Sequence, residues 1–220
     1  MRIYVCAVRD FVDETIREPD LKKFRGLVTA TRRKRISNYI KPQDKARCLV
    51  SGLLLRRFCG VIDDSQLEYG EKGKPFLKAQ DPVQDPIQFN LSHSGEYVVL
   101  LLSTGGEIGI DIEKVKPYSK AVAERCFTPA ELDWLNRQNT AYSFYEIWTA
   151  KESIMKATGL GFSLPPRDFE VLENPIPKIA EKNWHLERIP FENKNYIICC
   201  ASDEQFTIDS LQLTTVSQLL

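Results

Sequence analysis

The chain has 220 residues, 43% hydrophobic and 27% charged, with 30 basic and 30 acidic side chains. That length buries a real core as one large domain or two small fused ones, and the even charge balance excludes an overall basic nucleic-acid binder while leaving room for a local basic patch. The longest apolar runs, such as 97–102, fall far short of the roughly 20 residues of a membrane helix, and the six cysteines form no C-x-x-C pair, so they read as small buried hydrophobes in a reducing, cytoplasmic setting.

The opening stretch 1–8 is apolar but is stopped by Arg9 and Asp10, too short for a secretory core and suited to a first β-strand. Helical periodicity follows over 32–40, then over 43–59 with Pro42 at the start; Cys48, Leu49, Leu53, Leu54 and Phe58 would form the apolar face of the second helix. Residues 68–77 form a glycine-rich turn segment, and 78–86, polar with two prolines, a loop. A hairpin is expected next: an apolar strand over 97–103, a turn at Gly105-Gly106, and a returning strand over 107–113. Beyond Pro117 the chain reads as helical, and Thr128 with Glu131 makes a capping box around Pro129. A long helix is expected over 144–158, ending at Gly159, followed by strands over 169–172, 184–189 and 196–201. No internal repeat is visible.

Four groups of residues could carry chemistry. In Gly109-Ile110-Asp111-Ile112-Glu113, strand alternation places Asp111 and Glu113 on one face and both isoleucines on the other. Two adjacent carboxylates repel, and a hard divalent cation is their natural partner; a solvated face near Lys114 and Lys116 is the plainer reading. On a helix, Trp148, Glu152 and Lys156 share one face, where Glu152 could be a third metal ligand and Lys156 could meet a phosphate, or the two could form a surface pair. Ser92-His93-Ser94 places serines on either side of one of two histidines, but the chain has no G-x-S-x-G elbow. Arg32, Arg35, Arg47 and Lys74 form a basic set without a Walker A loop, because Gly73-Lys74-Pro75 lacks the Ser/Thr that such a loop needs.

Taken in order, Gly73-Lys74-Pro75, Asn90-Leu91-Ser92-His93-Ser94, Gly109-Ile110-Asp111-Ile112-Glu113, Phe127-Thr128-Pro129-Ala130-Glu131, the run Trp148 to Ala157, and Ser163-Leu164-Pro165 make the sequence resemble the Sfp-like 4′-phosphopantetheinyl transferases from about residue 32 to 169. The resemblance implies an α+β fold, a pseudo-dimer of two similar α/β halves divided at 1–105 and 106–220, with the site in the cleft between them. It also implies an enzyme that moves 4′-phosphopantetheine from coenzyme A to a serine of an acyl or peptidyl carrier protein and releases 3′,5′-ADP.

By position, Asp111, Glu113 and Glu152 would hold Mg2+, with Mn2+ the alternative metal. Lys156 would contact the phosphates. Ser92, His93, Arg47, Arg32 and Arg35 would bind the 3′-phosphate, Lys74 would line the nucleotide site, and Lys151 would join the coenzyme contacts. Glu152, or a water on the metal, would be the base. The expected enzyme is a cytoplasmic monomer with an acidic carrier as partner, approached by Lys114, Lys116 and Lys120, and with no nucleic acid or membrane partner. The rival readings are a catalytically weak coenzyme A- or carrier-binding relative and a metal-dependent phosphohydrolase.

Overall fold

The computed structural model describes residues 1–9, 24–79, 87–173 and 175–220. Its elements in chain order begin with β1 (Arg2–Ala7), α1 (Ala30–Asn38) and α2 (Pro42–Cys59), followed by β2 (Leu67–Tyr69) and β3 (Pro75–Leu77). The middle of the chain holds β4 (Gln88–Ser94), β5 (Tyr97–Ser103) and β6 (Ile108–Lys114), then α3 (Lys120–Cys126), α4 (Pro129–Gln138) and α5 (Ala141–Thr158). The chain closes with β7 (Ile176–Ile179), β8 (Lys182–Ile189), β9 (Tyr196–Ser202), β10 (Ser210–Thr214) and α6 (Val216–Leu219). The fold is α+β. Of the loop expected over 78–86, residues 80–86 lie outside the described residues.

Two four-stranded sheets dominate, in the orders β10-β1-β5-β4 and β6-β9-β8-β7. Strand alternation sorts each sheet's side chains between two cores. On β1 and β5, Tyr4, Cys6, Val98 and Leu100 face α2. Ile3, Val5, Val99 and Leu101 face the other sheet, where Ile108, Ile110, Ile112, Ile198 and Cys200 meet them. On its far side the second sheet packs against α5 and α4 through Cys199, Ala201, Ile147 and Ile154. The layers therefore run helix, sheet, sheet, helix. Five of the six cysteines are buried, as expected.

Two glycines set the spacing. A Cβ on Gly109 would lie 2.0 Å from the carbonyl oxygen of Ser153 and 2.6 Å from the nitrogen of Ala157, so the bare backbone of β6 lets α5 lie directly upon it. A Cβ on Gly52 would meet Arg32 Cδ at 2.4 Å, so the bare backbone of α2 leaves room for the Arg32 side chain from α1. The helix α2 is buried continuously from Cys48 to Leu55 rather than on the single apolar face expected.

Two expectations fail. First, β5 and β6 do not form a hairpin: β5 is already paired on both edges, with β1 and β4, so Gly105-Gly106 passes the chain to the other sheet, where β6 pairs with β9. The hairpin is instead β4–β5, turning at Gly95-Glu96. Second, 169–172 is not a strand. Its backbone is taken by side chains: the Phe169 carbonyl accepts from Lys151 Nζ at 2.5 Å, and the Val171 N–H donates to Glu131 Oε1 at 2.9 Å. Across the expected division at 105/106, β10 returns to pair in parallel with β1, and Leu219 joins the α2 core. The segment 68–77 is a short β2–β3 hairpin. The capping box forms as expected, with Thr128 N–H donating to Glu131 Oε2 at 2.8 Å.

Candidate active site

The site is built where β4 meets β6. Each is the edge strand of its own sheet, and an edge strand carries a row of unpaired backbone groups. Here side chains do the pairing. Asn90, Ser92 and Ser94 alternate along β4 and so share one face. The N–H groups of Ile110, Ile112 and Lys114 donate to Asn90 Oδ1 (3.0 Å), Ser92 Oγ (3.4 Å) and Ser94 Oγ (3.1 Å) respectively. This ladder is what the period-two pattern Asn90-x-Ser92-x-Ser94 encodes. Asn90 and Ser94 were not among the expected site residues, and that periodicity is the signal that could have found them.

On the ladder sits a charged cluster. Ser92 Oγ donates to Asp111 Oδ1 at 2.7 Å, and Lys156 Nζ reaches that same Oδ1 at 2.6 Å, Ser92 Oγ at 2.7 Å and the Ile110 carbonyl at 3.3 Å. Ser94 Oγ donates to Glu113 Oε2 at 2.6 Å. Asp111 is 4% exposed, so it is a buried group paired with an ammonium and not the exposed strand carboxylate its pattern suggests. Its Oδ2 is buried with no partner among the described residues. Glu152, one turn before Lys156 on α5, is pushed up to about 7 by burial and then by the charge of Asp111, with Lys156 opposing. Burial also raises Glu113, against the pull of the Ser94 hydrogen bond. Among the described residues no group of three or more His, Cys, Asp or Glu side chains is gathered closely enough to hold a metal ion; the positive charge at Asp111 is Lys156.

A cavity of about 280 Å³ opens beside this cluster, lined by Lys74, Asn90, Glu152, Lys156, Gly161 and Phe162 among others. Lys74 Nζ donates to the carbonyls of Ile108 (3.1 Å) and Ala157 (2.6 Å), and burial lowers it to about 8. A larger cavity of about 690 Å³, lined by Val122, Arg125, Arg167 and prolines, shares Phe162 with the first.

His93 and Arg47 lie together at the end of β4. Reduced hydration, then the charges of Arg47 and Lys156, holds the imidazole below the usual histidine value. Arg47 donates to the Gly95 carbonyl at 2.7 Å and pairs with Asp44, while its Nε is buried without a partner among the described residues. Arg32 is engaged elsewhere, its guanidinium donating to the Cys48 carbonyl at 3.3 Å on α2. Arg35 is exposed in the last turn of α1. Trp148 packs against Phe144 in the α5 core.

Lys151 is a correction. It is fully buried and pairs with buried Glu131 at 2.8 Å, donating also to the carbonyls of Pro166 and Phe169. An ammonium has three protons, and three oxygens already take them, so Lys151 has no donor left for a coenzyme.

Comparison with known proteins converges on one group. A model of the 4′-phosphopantetheinyl transferase superfamily matches residues 107–208, and a model of a 4′-phosphopantetheinyl transferase N-terminal region matches residues 17–104. A 4′-phosphopantetheinyl transferase of Bacillus subtilis is 32% identical over 225 residues, covering 96% of this chain and 97% of its own. A putative 4′-phosphopantetheinyl transferase of Synechocystis is 37% identical over 205 residues, covering 83% and 82%. An L-aminoadipate-semialdehyde dehydrogenase-phosphopantetheinyl transferase of Xenopus laevis is 30% identical, covering 82% and 68%.

Proposed function

The chain belongs to the 4′-phosphopantetheinyl transferase superfamily, and from that premise we propose that it transfers 4′-phosphopantetheine from coenzyme A to a serine of an acyl or peptidyl carrier protein, releasing 3′,5′-ADP. The observation that carries the reading is the Ser92–Asp111–Lys156 cluster, whose Lys156 lines a cavity together with Glu152. Carboxylates and an ammonium beside a cavity suit a pyrophosphate with its counter-ion.

In this proposal coenzyme A lies across the face where β4 meets β6, the cleft of a pseudo-dimer whose halves are the two sheets with their helices. His93 and Arg47 take the 3′-phosphate: a histidine beside an arginine, and a buried guanidinium N–H without a partner among the described residues, both suit an anion. Lys74 lines the nucleotide cavity. Arg32 and Arg35 are second-rank candidates, because Arg32 is held on α2.

Asp111, Glu113 and Glu152 are the proposed ligands of Mg2+, or of Mn2+. Their donor set suits a hard cation because it is all oxygen. Asp111 Oδ2 is buried and unpartnered among the described residues, and Glu152 is destabilised as an anion by burial first and then by Asp111 and Glu113. When bound, the ion would neutralise charge on the pyrophosphate. Lys156 adds a second positive centre to hold the α- and β-phosphates in line with the incoming hydroxyl. The carrier serine attacks the β-phosphorus, its proton passes to a Glu152 carboxylate oxygen, and the bond to the ADP oxygen breaks.

For the carrier, the exposed Lys114, Lys116 and Lys120 border the carboxylate strand, an edge suited to steering an acidic partner. With both sheets in one chain, a monomer suffices. No described helix is long and apolar enough to cross a membrane, and the burial of five of the six cysteines accords with a reducing cytoplasm. The test is intact mass of an apo carrier protein incubated with the enzyme, coenzyme A and Mg2+. A gain of one phosphopantetheine per carrier supports the proposal. Release of inorganic phosphate without that gain refutes it in favour of a phosphohydrolase, and no change on any carrier leaves a binding relative.

A further inference from the structure

Of the three rungs that join β4 to β6, two also touch a carboxylate. Asn90 meets only the Ile110 N–H of that strand. Ser92 is shared between Asp111, Lys156 and the Ile112 N–H. Ser94 is different: its hydroxyl has one proton and two lone pairs, and the proton goes to Glu113 Oε2 at 2.6 Å while the oxygen accepts the Lys114 N–H at 3.1 Å. The backbone bond fixes the hydroxyl's place, and the short bond fixes the carboxylate to it.

The strand end that carries Ser94 is itself pinned. Glu96 N–H donates to Tyr196 Oη at 3.0 Å, and Gly95 sits at φ +53 where a Cβ would lie 2.3 Å from that oxygen. Arg47 donates to the Gly95 carbonyl at 2.7 Å. Ser94 thus has a rigid footing in one sheet and hands an orientation to a carboxylate in the other.

We infer that Ser94 is a positioning residue that orients the Glu113 carboxylate for a divalent cation. The inference rests on the proposed metal reading and goes beyond it, since it assigns a metal-ordering role to a residue that is not a ligand. A carboxylate free to rotate must be ordered when the ion binds, and each ordered side chain subtracts from the affinity. Hydrogen bonds to metal-ligating carboxylates serve this purpose generally.

The test uses MnCl2 alone as probe, on the full-length protein without coenzyme A or carrier, with binding followed by electron paramagnetic resonance of free Mn2+ and by calorimetry. Ser94→Ala is expected to weaken Mn2+ binding about tenfold, the scale of a lost hydrogen bond to a charged group. Ser94→Thr, which keeps the hydroxyl, is expected to stay within about threefold of wild type. Asn90→Ala removes a rung that touches no carboxylate and is expected to lower Tm while leaving Mn2+ affinity within about twofold. If Ser94→Ala binds Mn2+ as wild type does, or if Asn90→Ala weakens binding as much, Ser94 is only a structural rung and the inference is overturned alone. If Ser94→Ala does not fold, Ser94→Thr decides: loss of Mn2+ affinity in that folded variant overturns the inference and retention supports it. If wild type binds no Mn2+, the metal assignment of Asp111, Glu113 and Glu152 falls, and this inference with it.

Discussion

Replacing Lys151 by methionine tests whether the motif that contains it is read correctly. Lys151 and Glu131 are both fully buried and meet at 2.8 Å. Burial pushes the lysine down and the glutamate up, and their mutual attraction opposes both shifts. Lys151 also satisfies the carbonyls of Pro166 (2.6 Å) and Phe169 (2.5 Å). Lys151→Met keeps the volume but leaves a buried carboxylate without its counter-charge and two carbonyls without a donor. Breaking one side of a buried pair costs about 3–5 kcal/mol. For a chain of this size each kcal/mol lowers Tm by about 2–4 °C, so a drop of about 6–20 °C is expected. The double variant Glu131→Gln/Lys151→Met should recover part of the loss, because no uncompensated charge remains. Calorimetric affinity for coenzyme A, measured well below Tm, should change by less than about threefold. An unchanged Tm with a tenfold loss of coenzyme affinity would refute the buried-latch assignment and restore Lys151 to the ligand set.

Gly109→Ala should destabilise by about 1–3 kcal/mol or more, an overpacking effect, since the new Cβ meets the Ser153 carbonyl at 2.0 Å and cannot be relieved by a side-chain rotation; urea unfolding reads it directly. Wild type should bind coenzyme A about 5- to 150-fold more tightly than dephospho-coenzyme A, the scale of one charge-assisted contact, and Arg47→Ala should shrink that gap; equal wild-type affinities would remove Arg47 and His93 from the 3′-phosphate site. In EDTA, stability should fall as pH rises from about 4.5 to about 7. Folded Glu152 holds its proton up to about 7 while the unfolded carboxyl has lost it, so the folded state binds more protons across that window. The contribution is at most about 3 kcal/mol, it is fully present below pH 4.5, and Glu152→Gln should flatten that part of the Tm profile.

Much of the fold is legible because its signals are local. The strand at Arg2–Ala7, the capping box at Thr128 and the helix ending at Gly159 each rest on residues within a few positions of one another. The failures share a cause. Gly105-Gly106 between two apolar runs is a sound hairpin signal, yet β5 has both edges occupied by strands distant in sequence. The stretch 169–172, with Phe169, Val171 and Leu172, would suit a strand, but buried Lys151 and Glu131 capture its backbone from other elements. Nothing near Ser210–Thr214 announces that it will pair with the first strand of the chain.

The site was legible to the extent that helix and strand periods place side chains. Residues on a helix turn by about 100° each, so Trp148, Glu152 and Lys156 fall on one face, and the structure puts Glu152 and Lys156 on one cavity. The same arithmetic sets Lys151 about 100° from Glu152 and about 140° from Lys156, too far round α5 to share their ligand. Adjacency in the motif hides that separation, and only the burial of Lys151 against α4 reveals it. The strand rule applies equally to Asn90, Ser92 and Ser94: alternate residues share a face, and the three hydroxyl or amide side chains on it have no apolar reason to be there. What the sequence does not contain is their counterpart. That the free edge of β6 lies opposite, with its N–H groups at matching intervals, follows only once two sheets are stacked. The charged cluster is therefore a product of that stacking, and a change at Ser94 should be felt at Glu113 across the interface before it is felt anywhere in its own sheet.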